Sequence, residues 1–171
     1  MIRQGAVEET RVGDIRDVGL LALRLVTGLL LAGHGAQKLF GVLGGHGLDG
    51  TARFFAGLGY EPATFFAALA GLAEFGGGLL LALGLLTPLA AAAVLGVMAN
   101  AVVADWSKGL LGGFEYPLLL GTVGVVVACT GAGRYALDHG RPWERHGAAW
   151  ATASIALGLL SAAGALLVRA L

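Results

Sequence analysis

The sequence is poor in charge: 13% of its 171 residues are Asp, Glu, Lys or Arg, where a soluble domain carries about 25%. With 57% hydrophobic residues and a mean hydropathy of +0.80, this shortage excludes a soluble globular domain and indicates an integral membrane protein. An excess of one sign is missing too. Eleven basic residues balance eleven acidic ones, so nothing electrostatic recommends a nucleic acid as partner. Cys129 is the single cysteine, which excludes an internal disulfide and a cysteine cluster for a metal or iron–sulfur centre. The four histidines, His34, His46, His139 and His146, show no pair at a metal-binding helical spacing, so no metal is expected. No haem, flavin or iron–sulfur ligands are apparent, and no covalently held cofactor is expected. A cleavable signal is not expected either. Met1 to Arg16 mixes three arginines with Glu8, Glu9 and Asp14 and reads as a polar tail, not the short basic region of a leader.

What is present is glycine, 30 residues of it, and long apolar runs. Glycine is frequent in spanning helices because small residues let backbones approach. The first run, about Asp17 to Leu39, places Arg24, Gly28, Leu31, Gly35 and Lys38 on one stripe with His34 at its border. Such a face is not written for lipid and should turn into a bundle. Residues 41–61 suit a short interfacial helix, with Leu48, Ala52 and Phe55 on one side and Asp49 and Arg53 on the other. Phe75 to Ala104 is free of charge for thirty residues, too long for one crossing, and Gly84 to Pro88 supplies the reversal. The predicted spans are therefore Ala63 to Leu85 and Pro88 to Ala104, followed by Tyr116 to Ala132 and a fifth from Gly147 to Val168.

Glu74 stands out because it lies roughly 18 to 21 Å from either end of the helix that carries it, close to the middle of a layer about 30 Å thick. A charge there costs a few kcal/mol on insertion scales of about 2.5–3.5 kcal/mol and needs a partner or a proton. Arg24 on the antiparallel first span is the expected partner. The alternative is a carboxyl that only holds the bundle together. Gly78 shares the face of Glu74 and, with Gly28, would line a pocket between the first two spans. His34 and Lys38, with Asp105 and Glu115, would form a second polar group at the mouth, although Lys38 can also simply snorkel to water and His34 can be a packing residue. Asn100 in the third span is either a further ligand contact or a hydrogen-bonded bridge between helices.

Lysine and arginine counts set the expected orientation. Arg3, Arg11, Arg16, Arg134, Arg141 and Arg145 collect on the amino-terminal side, against Lys38, Arg53, Lys108 and Arg169 opposite, which puts the amino terminus in the cytoplasm. Phe40, Tyr60, Trp106, Phe114, Tyr116, Tyr135, Trp143 and Trp150 fall at span ends, as an aromatic belt requires.

Arg24 with Gly28, Gly35 and Lys38, the block Gly50 to Gly59, Glu74 with Gly77 and the Gly84-Leu-Leu-Thr-Pro turn, Gly113-Phe-Glu-Tyr, and Gly131-Ala-Gly-Arg-Tyr-Ala-Leu-Asp138 together resemble the DoxX family of small bacterial membrane proteins over about residues 20–140. The resemblance implies a four-helix transmembrane bundle in the bacterial plasma membrane. It also implies association with oxidoreductase systems, through the related DoxD and DoxA subunits of thiosulfate:quinone oxidoreductase. Two departures stand out: Ala136 occupies a position where serine is common, and the fifth span is additional.

The expected fold is thus all-α, a four-helix transmembrane bundle plus an additional C-terminal transmembrane helix. Its organisation would be a tail over residues 1–16, a bundle over 17–145 and the added helix over 146–171. The leading functional expectation is a membrane subunit of a redox-enzyme complex, in contact with the lipid bilayer and with an oligomer as one option for its assembly. Its buried Arg24 and Glu74 would act on a quinone, with His34, Lys38, Asn100, Gly28 and Gly78 around it. The alternatives are a non-catalytic anchor or assembly factor for a partner enzyme, and a proton-linked transporter of a small solute.

Overall fold

The computed structural model describes residues 2–170, with side chains from Ile15 onward. The side chains of the amino-terminal tail, Arg3 and Arg11 among them, therefore lie outside the described residues. Among the described residues six α-helices make the fold: α1 (Ile2–Phe40), α2 (Gly47–Gly57), α3 (Ala63–Leu83), α4 (Thr87–Ala104), α5 (Glu115–Thr130) and α6 (Ala148–Ala170). Among the described residues, four stretches are long and apolar enough to cross a membrane: α3, α4, Leu110–Thr130 and α6. The apolar part of α1 runs antiparallel beside α3, from Arg24 level with Gly84 to Leu39 beside Gly71, and is the candidate for a fifth crossing. The chain is a multi-pass, all-helical membrane protein whose last crossing is the C-terminal helix. Leucines and valines such as Leu29, Leu72, Leu119 and Leu160 point outward, a surface that suits acyl chains.

Helices α1 and α3 are joined by glycine. A Cβ on Gly28 would lie 2.5 Å from the Gly78 carbonyl oxygen, and one on Gly35 would lie 2.2 Å from the Phe75 nitrogen. Gly28 and Gly35 are seven residues apart, as are Gly71 and Gly78, so the two backbones touch twice on one seam. Lipid tails give apolar helices little reason to associate, and contact through small residues supplies the packing that does. On its other side α4 carries the core. Leu31, Leu81, Val94, Met98, Leu120 and Val127 bury together where α1, α3, α4 and α5 converge. Helix α6 packs outside this set, against α4 and α5, through Ser154, Gly158 and Ala162 at four-residue spacing.

The end where α1 begins is called the near end below, and the opposite one the far end. The α3–α4 turn and residues 131–147 lie at the near end, and α2, residues 105–114 and the end of α6 lie at the far end. The short amphipathic α2 lies over α1 and α3, held by the Thr51 hydroxyl, which donates to the Lys38 carbonyl at 3.1 Å. Tyr135, Trp143 and Trp150 at the near end and Trp106 at the far end are exposed, in keeping with an aromatic belt. Tyr60 departs from it. It is only 3% exposed because its ring packs between Phe55 and Phe66, inside the far end.

Candidate functional site

Three polar assemblies sit in or beside the apolar bundle. At the far end Glu74, 4% exposed, accepts a hydrogen bond from Lys38, whose Nζ is 2.5 Å from Oε2. Side chains on a helix lean towards its amino terminus, so in this antiparallel pair Lys38 and Glu74 lean towards each other. One step outward, His34 Nε2 meets the Tyr116 hydroxyl at 3.2 Å, its Nδ1 meets Gln37 Oε1 at 3.1 Å, and Gln37 Nε2 donates to the Leu43 carbonyl. Asp105 and Glu115 stay outside this chain. Asp105 pairs with Lys108, and Glu115 accepts from the Gly112 N–H across the irregular Leu110–Phe114 turn.

Arg24 does not reach Glu74, which corrects the pairing expected from the sequence. The glycine seam sets the register and brings Arg24 level with Gly84: a Cβ there would lie within contact of the guanidinium. Gly84 and Glu74 are ten residues apart, roughly 15 Å along the helix, and the two side chains lean in opposite directions. Arg24 instead belongs to the near end. It is fully buried, its Nη2 donates to the Tyr135 carbonyl at 3.1 Å, and its Nε and Nη1 have no acceptor.

Above Arg24, residues 131–138 fold onto the α3–α4 turn. Leu137 and Asp138 donate their N–H groups to the carbonyls of Leu83 and Gly84. The Asp138 carboxylate caps α4: Oδ1 accepts from the Leu86 N–H and Trp143 Nε1, and Oδ2 from the Thr87 N–H and hydroxyl. Burial opposes ionisation of Asp138, but the hydrogen bonds from Thr87, Leu86 and Trp143 outweigh it and hold the carboxyl below its ordinary range. Two blocks far apart in sequence, the Gly84-Leu-Leu-Thr-Pro turn and the segment ending at Asp138, are thus one structural unit.

Gly28 and Gly78 line no pocket. Their backbones touch, so a headgroup has no room between α1 and α3, and the expected site on that seam is corrected to a closed contact. Open space lies on the other flank of α3. A groove of about 290 Å³ runs between α3, α4 and α6 beneath Phe55 of α2. Its walls are apolar along Leu69, Ala73, Leu89, Ala93 and Leu157, and its polar groups gather towards the far end, at Tyr60, Asn100 and Ser161. The Tyr60 hydroxyl donates to Asn100 Oδ1 at 3.1 Å, and Asn100 Nδ2 donates to the Gly96 carbonyl at 3.1 Å, leaving one amide N–H uncommitted. The Arg169 guanidinium lies 5.6 Å from the centre of the Tyr60 ring and steadies it at the mouth. A head-and-tail molecule matches this groove. Among the described residues no cluster of His, Cys, Asp and Glu is arranged to hold a metal.

Asn100 is thus the one sequence candidate that faces the groove; Lys38, His34 and Glu74 form a separate far-end cluster, and Arg24 stands alone at the near end. Tyr60, Tyr116, Asp138 and Thr87 were missed. For Asp138 and Thr87 a signal existed, since each ends one of the two near-end blocks.

A protein of Bacillus subtilis (strain 168) that bears the name "Putative oxidoreductase CatD" is 29% identical over 123 residues, which cover 71% of this chain and 86% of the relative. No solved structure matches the chain significantly. The family model for DoxX matches residues 19–105, just over half of the chain, which spans the glycine seam, Glu74, the α3–α4 turn and Asn100: the chain belongs to the DoxX family.

Proposed function

We propose that the protein is a plasma-membrane subunit of an oxidoreductase system and holds a lipid-soluble quinone in the groove between α3, α4 and α6. The observation that carries this reading is the polarity of the groove: apolar walls along most of its length and a tyrosine–asparagine pair at one end. A quinone has the same plan, an apolar tail and a ring whose carbonyl oxygens accept hydrogen bonds. The free N–H of Asn100 would donate to one carbonyl, and the Tyr60 hydroxyl fixes the amide so that the N–H is presented. Membership of the DoxX family and the oxidoreductase name of the relative support the redox side of the reading. The chain binds and orients; electrons would come from a partner enzyme, as nothing in the sequence marks a resident redox cofactor. In this reading the near end, richer in arginine, faces the cytoplasm.

The test is purification in a gentle detergent followed by mass spectrometry of extracted quinones and co-purifying proteins. Wild-type protein should carry a quinone, and Asn100→Leu should retain about tenfold less, the equivalent of one good hydrogen bond. Leu157→Trp, which fills the groove from α6, should abolish retention. A quinone-free wild type, or equal retention in all three, overturns the reading.

A further inference from the structure

At the near end a second cavity, about 420 Å³, opens between the start of the apolar part of α1, the end of α5 and the beginning of α6. Unlike the groove it is rich in charge. Arg16, Arg134 and Arg145 line it with His139 and His146, against Asp17, Asp138 and Glu144. The three acids are engaged. Asp138 is saturated by the α4 cap, and Asp17 accepts from the Arg134 N–H at 3.2 Å and lies 4.0 Å from its Nε. Glu144 accepts from the Gly140 N–H at 2.8 Å and lies 3.6 and 3.8 Å from Nδ1 of His139 and His146.

Two arginines keep donors in hand. Arg16 donates through Nη2 to the Thr130 carbonyl at 3.2 Å, and Arg145 through Nη1 to the carbonyls of Pro142 and Glu144. Neither has a carboxylate partner among the described residues, and each guanidinium has further N–H groups for an anion. Arg145 lies over the Trp150 ring, 5.5 Å from its centre, a cation–π contact that helps to position the guanidinium. The cavity also takes in Gly147, immediately before α6, and the first turn of a helix presents N–H groups without intrahelical acceptors and the positive end of its dipole. Exposed Tyr135, Trp143 and Trp150 fix the level of this end at the membrane–water interface, the depth at which lipid phosphates lie.

We propose that the near-end cavity binds the phosphate of an anionic phospholipid through Arg16, Arg145 and the first turn of α6. Basic pockets between spanning helices take such headgroups because each cation contributes at interfacial depth and the acyl chains rest on the adjoining apolar surface. The site is independent of the groove, which lies between other faces of α3, α4 and α6.

The experiment reconstitutes the full chain in nanodiscs of phosphatidylcholine with a minor fraction of phosphatidylglycerol and measures lipid retained after transfer to detergent by native mass spectrometry. Wild-type protein should retain phosphatidylglycerol selectively. Arg145→Gln should weaken retention about fivefold and Arg16→Gln/Arg145→Gln about 25-fold, while Arg53→Gln on the exposed face of α2 should leave it unchanged. Should the double variant not fold, Arg145→Gln alone carries the test. Equal retention by Arg145→Gln and wild type overturns the proposal, as does equal loss in Arg53→Gln, which would mean bulk attraction only. Inorganic phosphate is the second probe: if millimolar phosphate removes the lipid completely, the site takes free phosphate and the lipid assignment falls.

Discussion

Lys38 and Glu74, 36 residues apart, form the one direct ion pair inside the membrane-spanning part of the described structure, with 2.5 Å between Nζ and Oε2. The carboxylate is almost wholly buried, while the lysine keeps 29% of its side chain accessible towards the far end. Removing one partner leaves a charge stranded; removing both does not.

Lys38→Met, which strands the buried carboxylate, is therefore expected to destabilise the protein by about 3–5 kcal/mol, Glu74→Gln, which leaves a lysine with access to water, by less, and Lys38→Met combined with Glu74→Leu by much less than the sum of the single losses. Thermal unfolding in detergent, read by helical circular dichroism, decides the matter. Additive losses would mean that the two side chains do not depend on each other.

The glycine seam makes a sharper prediction, because neighbouring glycines of one helix should respond oppositely. Gly35→Ala sets a Cβ 2.2 Å from the Phe75 nitrogen and must push α1 from α3, at a cost of at least about 1–3 kcal/mol for overpacking. Gly33→Ala meets nothing nearer than a Leu43 methyl at 3.8 Å and should be neutral or slightly stabilising, since alanine is the better helix former. The same melting measurement compares them.

Asp138 gives a pH dependence of known sign. Its carboxyl is held below the ordinary value of 3.8 in the folded protein, so the folded state binds the proton less tightly than the unfolded chain does. The stability it contributes is complete well above 3.8, declines as the pH falls past that value and is gone below the folded value. Asp138→Asn should flatten this acid limb and lower stability at neutral pH, read as melting temperature against pH.

Arg24 predicts a stabilising substitution. Ala136 and the Arg24 guanidinium crowd the same side of Gly84, and Nη1 has no acceptor. Ala136→Ser brings a hydroxyl oxygen to that donor and should raise stability by about 1–3 kcal/mol. In an Arg24→Leu background the gain should vanish, and a gain that survives there would disprove the contact.

Most of the fold was legible because its signals are local. The five apolar runs, the reversal at Gly84 to Pro88 and the amphipathic α2 follow from period and punctuation, and the structure keeps the bounds of the later four spans within a few residues, whereas α1 begins at Ile2, fifteen residues ahead of the expected Asp17, because the polar tail continues the helix. The site was legible only in parts. Depth along each helix suggested that Arg24 and Glu74 could meet, but depth alone does not fix register. Register came from two glycine pairs, and the lean of the side chains then sent Arg24 to one end and Glu74 to the other. Asn100 was visible as a polar group in an apolar run. Its partner Tyr60 was not, because an aromatic residue beside a span end reads as a belt residue until the packing of Phe55 and Phe66 draws it inward.

The seam between α1 and α3 also decides which parts of the molecule can give way. Two backbones in direct touch at two levels behave as a single stiff plank, with no slack for sliding or rotation. The groove on the opposite flank of α3 is bounded by a second seam of the same kind, since Gly96 and Gly158 bring α4 and α6 together: a Cβ on Gly158 would lie 2.9 Å from the Ala92 carbonyl oxygen. The groove thus runs between two tightly joined pairs of helices, and neither wall is a loose one.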